Sequence, residues 1–127
     1  MKHILILMSI IFLCACGKCD CGETNTNNNQ SVENKDEYYV KYTGSMSGGH
    51  MMSSPTITIT IEDGSTQKFT SSSARQSLSR TIGPVRKGFT ASISSNFEYN
   101  KIECCKNTGP FVIKAEKRGS CSYTIDF

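Results

Sequence analysis

The chain has 127 residues, seven cysteines, no tryptophan and a formal net charge of +3. This length suits one folded domain, and the charge is too small for the basic surface of a nucleic-acid-binding domain. With 37% hydrophobic and 20% charged residues, the chain is too apolar for disorder throughout. Polar residues interrupt it too often for a multi-span membrane protein.

The first 16 residues have the organisation of an export signal. Lys2 precedes an almost unbroken apolar run over residues 4–13, and the small residue Ala15 precedes Cys16. This run is too short to span a bilayer as a helix, which needs about 20 residues, but it matches the apolar region of a secretory signal. The N-terminus therefore predicts export from the cytoplasm.

The end of this segment resembles the lipobox of bacterial lipoproteins, with Leu13, Cys14 and Ala15 before Cys16. Cys14 stands where Ala, Ser or Thr is usual. The resemblance implies cleavage before Cys16, attachment of diacylglycerol to its sulfur and acylation of its amine. We expect a protein held in the cell envelope, at the outer membrane, on its periplasmic face or at the cell surface. An ordinary signal-peptidase site nearby is the alternative, and it would release a soluble protein.

Three segments follow from this interpretation: a signal peptide over residues 1–15, a lipidated tether over 16–36 and a folded domain over 37–127. The tether is rich in Asn and Thr and has almost no large aliphatic residues, so it cannot offset its ordering entropy by burial. As a flexible coil it would span about 25 Å. For Cys19 and Cys21 we expect a disulfide or free thiols rather than a metal site.

Alternating apolar and polar residues predict about seven strands within residues 37–127. The clearest is T-I-T-I-T-I at residues 56–61, with isoleucines on one face and threonines on the other. Asp63-Gly64 predicts a hairpin turn after it. The other strand patterns begin at Tyr38, Gln67, Phe89, Tyr99, Phe111 and Cys121. Short strands with glycine-bearing turns predict an all-β fold, a small Ig-like or transthyretin-like β-sandwich, with a small barrel as the alternative.

Residues 71–82 fit two structures. Ser73 and Gln76 could form a helical capping box, with Ala74, Leu78 and Ile82 repeating every four residues. The same residues alternate as a strand, and we prefer an irregular segment or a strand because serine-rich sequence forms helices poorly. Gly83-Pro84 is expected to end either structure.

The first predicted strand, Tyr38–Tyr42, could lie at a sheet edge and pair with another chain. The C-terminal sequence G-P-F-V-I-K-A-E-K-R-G-S-C-S-Y-T-I-D-F and the earlier F-T-A-S-I resemble the membrane-tethered β-sandwich domains of MmpS-like proteins. Those domains accompany efflux transporters. The resemblance implies a fold, and no functional residue transfers with it.

The domain cysteines predict a disulfide, because exported proteins meet an oxidising compartment. Cys104 and Cys121 are expected to point into the core, and a bridge between them would contribute about 3 kcal/mol. A Cys105–Cys121 bridge is the alternative, although Cys105 should face the other way.

Two groups of residues are candidate binding sites. Soft thioethers beside an imidazole suit copper(I), which predicts a weak metal site at Met46, His50, Met51 and Met52. A basic stretch free of carboxylates predicts a docking patch for an anionic glycan such as lipopolysaccharide. Its members are Arg75, Arg80, Arg86 and Lys87.

No catalytic motif is present, so we expect a protein that is not an enzyme and has no cofactor besides the lipid on Cys16. The leading hypothesis is a lipid-anchored envelope protein with a non-catalytic binding or structural β-sandwich. Its partner would be another envelope protein or a glycan, and not a nucleic acid. The alternatives are a periplasmic accessory subunit of a transporter or secretion system, and a copper(I)-handling lipoprotein.

Overall fold

Two four-stranded antiparallel sheets form a β-sandwich in the computed structural model, which describes residues 35–127. The strands are β1 (Tyr38–Ser45), β2 (Thr56–Thr60), β3 (Thr66–Thr70), β4 (Ser77–Val85), β5 (Thr90–Ser95), β6 (Tyr99–Lys106), β7 (Val112–Arg118) and β8 (Cys121–Thr124). Sheet 1 has the order β4-β1-β6-β7, and sheet 2 has the order β3-β2-β5-β8. The predicted all-β sandwich is confirmed. The predicted signal and most of the tether lie outside the described residues.

Alternation along the strands builds the core between the two sheets. In β1, Tyr38, Val40 and Tyr42 are buried while the residues between them are partly exposed. In β2, Ile57 and Ile59 are fully buried and meet the side chains of sheet 1. The period of two therefore fixes which face of each strand points inward.

One buried hydrogen bond connects the two sheets through the core. The hydroxyl of Tyr42 on β1 donates to the backbone carbonyl of Thr60 on β2 at 2.8 Å. Burial of this side chain is the main reason that its pKa lies well above the ordinary value of 10.0. The bond satisfies a polar group that would otherwise be costly to bury.

The prediction that Tyr38–Tyr42 could form an edge is wrong. β1 lies in the middle of sheet 1 and pairs with β4 on one side and β6 on the other. Its alternation only showed that one face is buried, which is equally true of central and edge strands of a sandwich. The edges of sheet 1 are β4 and β7.

The segment that fitted either a helix or a strand forms β4, the one strand beyond the seven that were predicted. β4 covers Ser77–Val85 and pairs with β1, so it runs through Gly83-Pro84 instead of ending there as predicted. The pairing shifts register between Tyr38 and Val40, and this irregularity accommodates the Gly83-Pro84 step. Gly83 has φ +135°, and a Cβ there would lie 2.6 Å from Cδ1 of Tyr39. Only glycine fits that backbone and that close approach.

The sandwich has two distinct ends. At the entry end, where the described chain begins, Tyr38 pairs with Val85 and with Lys106. At the far end, Ser45 pairs with Ser77 and with Tyr99. The eight residues of β1 separate these ends by about 25 Å.

Candidate functional site: a hydroxyl-lined sheet face

The outer face of sheet 2 consists almost entirely of hydroxyl side chains. Because Ile57, Ile59, Ala91 and Ile93 point into the core, the residues that alternate with them point outward. We call this surface the hydroxyl face. Its members are Thr56, Thr58, Thr60, Thr66, Lys68, Thr70, Thr90, Ser92, Ser94, Ser122 and Thr124. Lys68 is its only member that is not serine or threonine.

Cross-strand hydrogen bonds order part of the hydroxyl face. The hydroxyl oxygens of Thr60 and Ser92 are 2.6 Å apart, and those of Thr90 and Thr124 are 2.9 Å apart. A third pair joins Thr56 and Thr70 at 3.0 Å. Such pairs fix side-chain rotamers across the sheet and pre-organise the remaining hydroxyls.

An open groove of about 840 Å³ crosses this face. Its lining comes from β2, β3 and β5 of sheet 2 and from β7, β8 and the turn between them. The lining residues are Thr58, Thr66, Ser92, Ile93, Ser94, Lys114, Ala115, Glu116, Lys117, Ser120, Cys121 and Ser122. A second depression of about 310 Å³ adjoins it and shares Thr58 and Ser94. Together they form one polar channel across sheet 2.

The charges around this channel are mainly positive. Lys114 and Lys117 line the groove, and Lys68 lines the adjoining depression, against the single carboxylate of Glu116. The four strands of sheet 2 contain no Asp or Glu. The Nζ atom of Lys114 lies 3.7 Å from the ring centroid of Phe127, a cation–π contact that holds this side chain between the two sheets.

The outer face of sheet 1 has a different chemistry. Glu103 lies between Lys41 and Lys101, with each ammonium 3.5 Å from its Oε2 atom. Glu98 accepts a hydrogen bond from the Ser47 hydroxyl, which is the main reason that its pKa is lowered, and it also pairs with Arg118 at 2.7 Å. Paired charges of this kind are typical of a surface that faces water. The hydroxyl face of sheet 2 has no such pairs among its members.

A buried polar cluster supports the far end of the groove. Asn100 of β6 is fully buried; its Oδ1 atom accepts a hydrogen bond from Ser95 at 2.7 Å, and its Nδ2 atom donates to the carbonyl of Gly119. Its backbone carbonyl accepts a contact from the Cys121 thiol at 3.5 Å. These bonds tie β6 to β5 and to the β7–β8 turn that forms one side of the groove.

The predicted Cys104–Cys121 disulfide is not formed, and both cysteines are free, as is Cys105. Cys121 contacts Asn100. Asn100 and Cys104 are four residues apart along β6, which separates their Cα atoms by about 13 Å. Both side chains do point inward as predicted, but at different heights in the core. Cys105 pairs with Tyr39 on the other face and is buried as well, which leaves the alternative bridge unformed too.

The four predicted basic residues do not form one patch. Arg75 precedes β4 and bonds to Ser71 at the far end, whereas Arg86 and Lys87 follow β4 at the entry end, about 30 Å away. Arg80 lies in the middle of β4 with its guanidinium carbon 4.4 Å from the ring centroid of Phe69. It therefore covers the open side of the sandwich between β4 and β3.

The predicted copper ligands fall into two environments. Met46 and Met52 pack against the hydrophobic core, while His50 and Met51 are exposed. Within residues 35–127, no cluster of three or more His, Cys, Asp or Glu side chains could hold a metal ion. The copper(I) hypothesis stays a prediction, and Cys16, the predicted lipidation site, lies outside the described residues.

The outward threonines of β2 are predictable from the sequence, but the hydroxyl face as a whole was not predicted. The signal was present in the sequence, because the outward positions of β5 and β8 also carry serine or threonine. What the sequence did not reveal is that these strands are neighbours, or that Lys114 and Lys117 of sheet 1 line a groove with them.

Comparison of the chain with known protein families, curated proteins and solved structures finds no match. The resemblance to MmpS-like domains stays a prediction. The described part of the chain contains no helix with the length and apolar character needed to cross a membrane.

Proposed function

We propose that this protein is a lipid-anchored component of the cell envelope whose β-sandwich binds an anionic glycan, without catalysis, along the hydroxyl face. One observation carries the proposal. Ten of the eleven outward positions listed for sheet 2 are serine or threonine, and a groove of about 840 Å³ crosses this surface.

Hydroxyl side chains match the chemistry of sugars. Each serine or threonine can donate one hydrogen bond and accept others, as each sugar hydroxyl can. Thr58 and Ser94 are central to this match, because both line the groove and the adjoining depression. The channel is open and crosses four strands, a width of about 14 Å, which suits the middle of a polymer better than an enclosed small molecule.

The charge distribution favours an anionic polymer. Lys68 lies on one side of the hydroxyl face, and Lys114 and Lys117 lie on the other. Glu116 is the one carboxylate among the residues that line the channel. A surface free of carboxylates between these cations would attract a chain that carries carboxylate, sulfate or phosphate groups. The cations proposed to bind the glycan are therefore these three lysines, and not Arg75, Arg80, Arg86 and Lys87, which the sequence suggested.

The position of the channel also supports this function. Ser94, Lys117 and Ser120 belong to the far half of the sandwich, opposite residue 35, where the described chain begins. A lipid on Cys16 would be connected to the entry end. The channel lies along the outer face of sheet 2, so it would open to the side of the domain and stay accessible to polymers of the envelope.

Affinity electrophoresis of the mature chain tests the proposal, with polygalacturonate in the gel and its neutral methyl ester as the matched polymer. We expect retardation by polygalacturonate that weakens with added salt. The double variant Thr58→Val, Ser94→Ala should weaken binding at least about tenfold, since several hydrogen bonds of about 1 kcal/mol each are lost. Lys117→Gln should weaken binding to the acidic polymer only.

The control variant is Thr81→Val, which changes an exposed threonine on the outer face of sheet 1 and should leave binding unchanged. Alginate, dextran sulfate and neutral dextran extend the panel. Failure to bind any of these polymers, or equal binding by the double variant and the wild type, would refute the proposed function.

A further inference from the structure

Three consecutive apolar side chains are exposed where β7 begins. Phe111 is 39% exposed, Val112 52% and Ile113 53%, and we call them the β7 patch. The other large hydrophobic side chain with comparable exposure in the described residues is Met51, at 66%. Val112 pairs with the inward-facing Cys104 and Ile113 with the outward-facing Glu103, so the apolar side chains lie on both sides of the edge of sheet 1 and make that edge apolar.

The β7 patch lies near the entry end of the sandwich. Val112 pairs with Cys104, two residues before Lys106, and Lys106 pairs with Tyr38. The described chain begins three residues before Tyr38, and Asp36 is held there by an ion pair with Lys106 at 2.7 Å. The patch and the beginning of the domain are therefore at the same end of the molecule, whereas Met51 is in the loop that follows the far end of β1.

Two lysines lie at this end of the molecule, each paired with a carboxylate: Lys41 with Glu103 at 3.5 Å and Lys106 with Asp36 at 2.7 Å. The Nζ atom of Lys41 lies 6.0 Å from the ring centroid of Phe111, and the side chain of Lys106 is 41% exposed nearby on β6. Aromatic and aliphatic side chains flanked by lysines suit the boundary between lipid headgroups and acyl chains.

We infer that the β7 patch rests on the surface of the bilayer in which the Cys16 lipid is anchored. This inference rests on the lipid anchoring in the proposed function. A flexible coil over residues 16–36 would hold the domain at an average distance of about 25 Å from its lipid anchor. At such a distance the effective concentration of the bilayer is high, so a contact by three side chains is sufficient although it would be weak in free solution.

A second copy of the chain fits the patch less well. A stable protein interface takes roughly 800 Å² and 20–30 residues from each partner, far more than three side chains. β7 also pairs irregularly with β6 between Ile102 and Glu103, and such a bulge distorts the edge that a second strand would have to match.

Single tryptophans test this inference cleanly, because the chain has none of its own. The mature chain is purified from its native membrane, its N-terminal mass is measured for acylation, and it is reconstituted in phosphatidylcholine–phosphatidylglycerol vesicles. Val112→Trp and Phe111→Trp report from the patch, and Met51→Trp reports from an exposed site at the other end. We expect brominated lipids to quench both patch tryptophans at least twofold more than the Met51→Trp reporter.

Each outcome separates the two proposals. Acylated protein with equal quenching at all three positions would overturn the membrane contact and leave the anchoring intact. Protein without an acyl group would overturn the anchoring. In that case, quenching in the same vesicles would still test whether the β7 patch contacts a bilayer. Quenching confined to positions 111 and 112 supports the contact, and its absence refutes it.

Discussion

The thiol of Cys104 shows how burial alone changes the chemistry of one side chain. Cys104 is fully buried in the core, and loss of solvation raises its pKa to about 11 from an ordinary value of 9.0, with Lys114 partly opposing this change. The thiolate is therefore disfavoured in the folded protein. The neutral thiol therefore packs in the core as a small apolar group.

Stability should fall in alkaline solution for this reason. The unfolded chain loses the Cys104 proton near pH 9, but the folded chain keeps it until about pH 11. Stabilisation from the neutral thiol is thus complete below pH 9 and is lost as the pH rises through this window, by on the order of 1–2 kcal/mol. Urea unfolding between pH 8 and 11 measures the decline.

Cys104→Ala is the comparison for that experiment. Its free energy of unfolding is lower at every pH because a small cavity remains, but its decline between pH 9 and 11 should be shallower than that of the wild type. Parallel curves for the two proteins would show that Cys104 does not carry the effect.

At the scale of elements, strand β4 depends on the absence of a side chain at Gly83. A Cβ at this position would lie 2.9 Å from the carbonyl oxygen of Tyr38 and 2.6 Å from the Tyr39 ring, at a φ of +135°. Gly83→Ala should therefore destabilise the domain by about 2–4 kcal/mol, from backbone strain and overpacking together. Thermal or urea unfolding measures the loss.

Gly88 provides a matched control for Gly83. It also has a positive φ, +86°, but nothing lies within 4 Å of a Cβ built there. Gly88→Ala should cost only the backbone strain, about 1 kcal/mol. If Gly83→Ala cost no more than Gly88→Ala, the close approach to β1 would not be what demands glycine.

The strands themselves were predictable because alternation is a local property of the chain. Ile57 and Ile59 are buried and Thr56 and Thr58 face outward, as the period of two required. The same reasoning could not show that β4 continues through Gly83-Pro84. The irregular pairing that accommodates this step exists only beside the beginning of β1, which is more than forty residues away in the sequence.

At the scale of the whole molecule, Asn100 joins parts of both sheets. Its side chain binds Ser95 of β5 and Gly119 in the β7–β8 turn, while its own strand, β6, belongs to sheet 1. Asn100→Ala removes two hydrogen bonds made by a fully buried side chain and leaves a cavity, so we expect a loss of about 2–4 kcal/mol in the free energy of unfolding. Glycan binding should weaken as well, because the β7–β8 turn lines the groove.

Ser95→Ala is the comparison that leaves no large cavity. It removes the bond to Asn100 and the bond that the Ser95 hydroxyl accepts from the Phe97 amide, and should cost about 1–2 kcal/mol. Urea unfolding of both variants gives the two values. An Asn100→Ala protein as stable as the wild type, to within about 0.5 kcal/mol, would show that water replaces the missing amide.

The class of fold and the inward and outward faces of most strands could be predicted from the amino-acid sequence alone, because each depends on residues that are neighbours in the chain; export stays a prediction from the same local patterns. Tertiary structure decided which strands pair, and with it the separation of Cys104 from Cys121, the dispersal of Arg75 from Arg86 and the gathering of Thr58, Ser94 and Lys117 around one groove. Strand order follows from the packing of the complete core, and no local pattern in this chain encodes it.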